Sequence, residues 1–172
     1  MADLLVKLYE LPPLPPFLER VQRSGIVIRR ALPLEKRRIL RWLERQPDFP
    51  EAWMNECDVA LSQQPATCFV AVRTPAAGLE GYAATSDELL GFACYDATAL
   101  GFFGPEGVSA GERGGGIGSA LLLSCLHAMY TQGYGYAIIG WAGPVDFYRR
   151  TVGASVIEGS EPGVYRHRLA GE

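Results

Sequence analysis

The segment Arg113-Gly-Gly-Gly-Ile-Gly118 carries the clearest chemical meaning in this sequence. Three successive glycines are poor helix formers, so they predict a loop that presents backbone N–H groups. Behind it, Leu122, Cys125, Leu126 and Met129 recur at i, i+3, i+4 and i+7, which predicts a helix over 119–132. Gly133 is placed to end that helix. A helix starting directly behind the loop adds its unbonded first amides and the positive end of its dipole. Such a loop suits an anion, and a pyrophosphate is the natural guest. Two familiar phosphate motifs fail. The dinucleotide fingerprint needs a third glycine where Leu121 stands, and the Gly-Lys-Ser/Thr of a P-loop occurs nowhere.

A second motif points to different chemistry. Gly107-Val-Ser109-Ala-Gly111 reads GxSxG, and Asp146 and His167 follow it in the chain order of an α/β-hydrolase triad. A nucleophile elbow leads directly from strand to helix, whereas Glu112 and three glycines intervene here. The first 108 residues also lack the repeated β-α units of that fold. His167 lies in Tyr165-Arg-His-Arg, where an alternating strand is the simpler reading. A serine esterase using Ser109 is therefore the lesser alternative.

The spacing that the glycine loop does satisfy is Arg/Gln-x-x-Gly-x-Gly, filled by Arg113, Gly116 and Gly118. Downstream, Pro144-Val-Asp-Phe-Tyr148-Arg-Arg-Thr-Val-Gly-Ala154 is similar to A-x-x-F-Y-x-x-x-G with one extra residue before the glycine. On these two segments and the element order, the sequence resembles the GNAT superfamily of acyl-CoA-dependent N-acetyltransferases over roughly residues 26–169. Two positions depart from the pattern. Pro144 replaces the usual alanine, and Trp141 stands where many members carry an asparagine near the pantetheine.

The resemblance implies direct transfer of an acetyl group from acetyl-CoA, a co-substrate, to a primary amine within a ternary complex. Arg113, Gly114, Gly115, Gly116, Ile117, Gly118 and Ser119 would meet the pyrophosphate. Glu106, Val108 and Ser109 would align the thioester arm, with Trp141 facing the same gap. Tyr148 takes the role of general acid. A phenol of unperturbed pKa about 10 stays protonated at neutral pH and can donate to a leaving thiolate. Glu106 is the preferred general base, because its strand would meet the reactive end of the cofactor; Asp96 is the other candidate. A CoA-binding sensor or scaffold without catalysis is the main alternative function. The acceptor, a small amine or a protein amine, is not identified by any motif.

The elements that position these residues follow from periodicity and punctuation. Residues 25–29, 67–72, 89–95, 100–108 and 136–141 read as strands, with Pro105 demanding an edge, a bulge or a lost ladder bond. Helices are expected over 34–46, 50–63 and 119–132, with a short one from Pro144 to near Gly153. Residues 154–158 and 164–169 read as two closing strands, and 73–87 as a turn-rich loop. The fold class is α/β (mixed α+β). It would be a single domain with a mostly antiparallel sheet of six to seven strands, splayed at the cofactor, and about four helices. Residues 1–11 read as an edge strand or a docking arm, followed by a proline-rich connector, Leu11–Pro16, extended throughout. Together 1–24 would form an N-terminal arm, and the domain proper would cover 25–172. The arm is a candidate homodimer contact, and its PxxP pattern a minor candidate for partner binding.

Composition bounds the remaining possibilities. The 172 residues are one domain's worth, with 48% apolar and 20% charged residues, which excludes disorder for most of the chain. The first 50 residues hold ten basic against six acidic side chains, and the rest six against thirteen. An acidic body argues against nucleic acid and is compatible with a cationic amine. The arginine stripe Arg37, Arg41 and Arg45 reads as a solvated face. No apolar run reaches a membrane span, and Asp3, Lys7 and Glu10 interrupt the start, so neither a membrane nor a secretory route is expected. Two histidines and four scattered cysteines without a CxxC pair suggest no metal and reduced thiols in the cytoplasm.

Overall fold

The protein is described here by a computed structural model covering residues 1–74 and 87–169. Most of the expected loop, 75–86, lies outside the described residues. The chain order is β1 (Leu4–Lys7), α1 (Pro15–Gln22), β2 (Ile26–Arg30), α2 (Lys36–Glu44), α3 (Ala52–Ser62), β3 (Cys68–Arg73) and β4 (Glu88–Tyr95). It continues with β5 (Phe102–Val108), α4 (Ile117–Thr131), β6 (Tyr136–Ile139), α5 (Val145–Val152) and β7 (Ser155–Val156). These form one mixed α/β sheet of seven strands in the order β2-β3-β4-β5-β6-β1-β7. Every strand pairing is antiparallel except β5 with β6.

Period-two burial on the central strands divides the core in two. Cys68, Val70 and Val72 of β3 face α2 and α3, together with Phe92 and Cys94 of β4. Ala71, Leu90, Ala93 and Tyr95 face the other side, where α4 packs. Helix α4 buries residues on every side, from Ile117 and Leu121 to Leu122, Leu123 and Leu126, as a helix enclosed by sheet and neighbouring helices must. Arg37, Arg41 and Arg45 are exposed, as a solvated stripe should be.

The two chain ends differ from their sequence reading. The N-terminal stretch is an interior strand: β1 pairs with β6 from Leu4↔Ile139 to Lys7↔Tyr136 and with β7 on its other side. Leu4, Val6 and Leu8 are fully buried. The stretch is thus a strand, as one of its two readings has it, but an interior one within the main core rather than an edge strand or an arm. The connector is extended only to its middle. Pro15 and Pro16 open α1, because the first helical turn needs no N–H donors and proline's fixed φ suits it. Five α-helices are therefore present among the described residues, not four. At the other end, 154–158 shrinks to the two-residue β7, and 164–169 is not a strand. Gly163–Tyr165 form a 3-10 turn, and His167 has φ +63°, incompatible with a ladder. The sheet position that a last strand would fill is taken by β1.

The cysteines are brought together in a way their spacing conceals. Cys68 and Cys94 face each other across β3 and β4, and Cys57 of α3 reaches the same point. Their Sγ atoms all lie within 4.8 Å of one another, buried in the α2–α3 core.

Candidate active site

Strands β5 and β6 pair only through Phe102↔Ile138 and Phe103↔Ile139. Beyond these pairs Gly104 adopts φ +121° and Pro105 has no N–H to offer, so the parallel ladder stops. Strand β5 continues instead along β4, with Ala93↔Glu106 and Phe92↔Gly107 in register and a bulge between Ala93 and Tyr95. This bulge satisfies the expectation raised by Pro105, but on an interior strand. The diverging strands open a cleft of about 810 Å³. One wall is β5, and the other is the end of β6 with α5. Phe49, in the segment joining α2 to α3, and Trp53, in the first turn of α3, also line the cleft. Phe49 rests directly on Gly107, where a Cβ would come within 2.5 Å of its ring, so only glycine fits.

Glu106 and Tyr148 share this cleft. The Glu106 carboxylate lies against the first turn of α4, since a Cβ on Gly118 would stand 3.3 Å from its Oε1. That oxygen is buried and has no hydrogen-bond partner. Burial pushes the Glu106 carboxyl up to about 8, and the Tyr148 phenol pulls it partway back. Burial, and then the charge of Glu106, push the Tyr148 phenol well above its usual value. The phenol packs edge-on to Phe103 with centroids 6.3 Å apart. The site thus holds a carboxyl that titrates near neutrality beside a phenol that stays protonated.

The raised carboxyl has a consequence for stability. The native state holds this proton between the ordinary carboxyl value of 4.5 and about 8, while the unfolded chain has lost it. Its contribution is complete below pH 4.5 and is lost as pH rises through about 8. Over that window Glu106 should lower the unfolding free energy by up to about 1.4 kcal/mol per pH unit. Urea unfolding of Glu106→Gln from pH 5 to 9 should show this slope removed. A slope equal to that of the parent chain would contradict the raised value.

The glycine loop meets the cleft at its edge. Gly114 and Gly116 take φ +83° and +97°, conformations that favour glycine. Helix α4 begins at Ile117, two residues earlier than its periodicity indicated, and its first bond runs from Ala120 N–H to Gly116 O at 3.1 Å. The amides of Ile117, Gly118 and Ser119 belong to that free first turn. Arg113 turns away from the loop: its Nε donates to Val108 O at 2.9 Å and its Nη2 pairs with Asp48. Arg20 of α1 takes the position over the loop, 3.1 Å from where a Gly116 Cβ would be.

Of the residues expected at the cofactor, Glu106, Val108, Arg113, Gly118, Trp141 and Tyr148 line the cleft. Ser109, Gly114, Gly115, Gly116, Ile117 and Ser119 lie outside its lining, along the loop and the first turn of α4. Trp141 has φ +49°, its N–H donates to Asp3 Oδ1 at 2.9 Å, and its buried Nε1 has no partner. Its ring stacks on Tyr165 at 5.0 Å, and the Arg168 guanidinium lies 4.7 Å from the ring centre. Asp96 is committed elsewhere: it accepts from Gly101 N–H at 2.7 Å and from the Tyr134 hydroxyl at 3.0 Å. His127 ties α4 to Pro12 O at 2.9 Å.

Sequence reasoning missed Arg20, Phe49, Trp53, Glu56, Thr98 and Tyr165. They come from four separate stretches, and no spacing rule links them. The hydrolase elements stay apart. Ser109 is followed by a 3-10 turn over Ala110–Glu112, Asp146 faces Arg149, and no hydrogen bond joins Ser109, Asp146 and His167 among the described residues.

No family model matches the sequence, and no curated protein matches it. Solved structures do. A GCN5-related glucosamine N-acetyltransferase region of a fungal multi-domain GH3 β-N-acetylglucosaminidase aligns with 91% of this chain at TM-score 0.68 and 15% identity. A GCN5-related N-acetyltransferase from Sphaerobacter thermophilus aligns with 91% at TM-score 0.63 and 24% identity. The aligned region spans 19% and 48% of those two chains. The chain has the GCN5-related N-acetyltransferase fold, the fold expected from its glycine loop and Phe-Tyr segment. Among the described residues no helix is long and apolar enough to cross a membrane.

Proposed function

We propose that this chain, with its N-acetyltransferase fold, moves an acetyl group from acetyl-CoA to a primary amine. The observation that carries the proposal is the pairing of Glu106 with Tyr148 in the cleft where β5 and β6 part. The glycine loop with its free amides, and Arg20 above Gly116, suit the pyrophosphate of acetyl-CoA. The diverging strands leave β5 backbone groups without β6 partners, and these suit the amides of the pantetheine arm. Val108 O is the exception, because Arg113 already occupies it.

The chain's groups divide the proton transfers. An amine attacks only when neutral, so Glu106 takes its ammonium proton. The amide C–N bond forms as the thioester C–S bond breaks, and Tyr148 gives its proton to the departing thiolate. The nitrogen, cationic after attack, loses a second proton as well. Of the two protons it gives up, one leaves to water and the other returns through the Glu106 carboxyl to the Tyr148 phenolate, so the site is restored with one proton released. The buried Oε1 has no hydrogen-bond partner of its own, so it has acceptor capacity to spare. A carboxyl titrating near 8 is close to the optimum for a base working at neutral pH.

The proposal is tested at the loop by charge. Gly116→Asp should abolish acetyl-CoA binding by setting a carboxylate against the pyrophosphate. Gly116→Ala carries the positive-φ strain without the charge and should bind, with affinity reduced only a few-fold. Calorimetric titration of both variants reads the difference. Equal binding by both would remove the loop from the cofactor site.

A further inference from the structure

We infer that the half of the cleft built by Glu56, Thr98, Trp53 and Tyr165 is a subsite for a second ammonium group, making the acceptor an α,ω-diamine or a longer polyamine. This inference rests on the acetyl-transfer reading above, which places the reacting amine at Glu106.

Among the described residues, two carboxyl groups line the cleft without a basic side chain paired to them: Glu106 on β5 and Glu56 on α3. The third acidic residue there, Asp48, is neutralised by Arg113. Glu56 is half-buried and held in place, since its Oε1 accepts from the Thr98 hydroxyl. Tyr165 stands close to both: burial, and then the charge of Glu56, raise its phenol, while Thr98 opposes the rise. The Tyr165 hydroxyl presses on Gly140, where a Cβ would fall 2.9 Å away, so this ring is firmly seated. Trp53, one helical turn before Glu56, packs on Phe49 at 5.1 Å.

The ligand follows from this chemistry. A carboxylate bordered by aromatic rings attracts an organic ammonium through both its charge and the ring faces. The cleft that holds both carboxyls is lined largely by apolar and aromatic side chains, among them Phe49, Trp53, Phe103 and Phe147, which suits a methylene chain and offers few partners to a sugar's hydroxyls. Among the described residues two further cations line the cleft, Met1 and Arg168. The Met1 ammonium is paired with Glu161. Arg168 lies over the Trp141 ring near Tyr165 and is exposed to water that screens it.

The test uses the full chain with acetyl-CoA and three acceptors: 1,4-diaminobutane, n-butylamine and glucosamine. A charge-assisted contact to Glu56 should give the diamine a kcat/KM about 10- to 100-fold above the matched monoamine. Glu56→Gln, nearly isosteric, should raise KM for the diamine about tenfold or more while leaving kcat and the butylamine constants unchanged. A series from three to six methylenes should show a length optimum that disappears in the variant. Acetyl-CoA titration of the same preparation separates the two claims. If it binds, but diamine and monoamine react equally, or glucosamine is preferred, or Glu56→Gln slows every acceptor alike, the subsite inference fails while the transfer reading stands. If acetyl-CoA does not bind, both fail.

Discussion

Glu106→Gln should lower kcat with a good amine acceptor by about 10²-fold and remove the rise of kcat/KM centred near pH 8. The sign follows from the base role. Only the carboxylate form accepts the ammonium proton, so activity increases as pH rises through the carboxyl's midpoint. The amine's own deprotonation adds a second rise at higher pH, and that one should survive in the variant. Glutamine keeps the volume and cannot take the proton, so acetyl-CoA affinity should stay within a few-fold. An unchanged pH profile would show that the amine loses its proton by another route. Because Asp96 is already engaged by Gly101 and Tyr134, it offers no ready substitute.

Tyr148→Phe should also cost about 10²-fold in kcat while sparing acetyl-CoA binding, because the leaving thiolate loses its donor. Phe fills the same buried place between Phe103 and Phe147, so the fold should be kept. The variant carries a second signature. The phenol now pulls the Glu106 carboxyl down, and its removal should move the activity midpoint above 8. A fall in kcat together with this upward shift would tie the two residues into one device. Unchanged turnover would take Tyr148 out of the acid role and leave the fold untouched.

How far the molecule was legible in its sequence depended on distance along the chain. The glycine loop, α4 and the Phe-Tyr helix are local patterns, and each lies within one or two residues of its expected place. Glu106 could be singled out because it sits on the strand leading into that loop, and the structure places it in the cleft. The place of β1 was hidden, since pairing Leu4 with Ile139 joins positions that periodicity treats separately. The same reason hid Arg20 above Gly116 and the meeting of Cys57, Cys68 and Cys94. The closing strand expected at 164–169 failed for a related reason. Alternation in Tyr165-Arg-His-Arg looked like a strand, but β1 already occupied the sheet position, and Tyr165 turned into the cleft instead. The half of the cleft lined by residues 53, 56, 98 and 165 was illegible for want of any spacing rule linking them.

The most direct measurement is a calorimetric titration of acetyl-CoA into the purified chain, with desulfo-CoA and NADH as comparisons. Saturable one-to-one binding is expected of both CoA compounds and none of NADH, whose pyrophosphate lacks the pantetheine arm proposed to lie along the open strands. A folded protein that binds neither CoA compound, or binds NADH equally well, would contradict it.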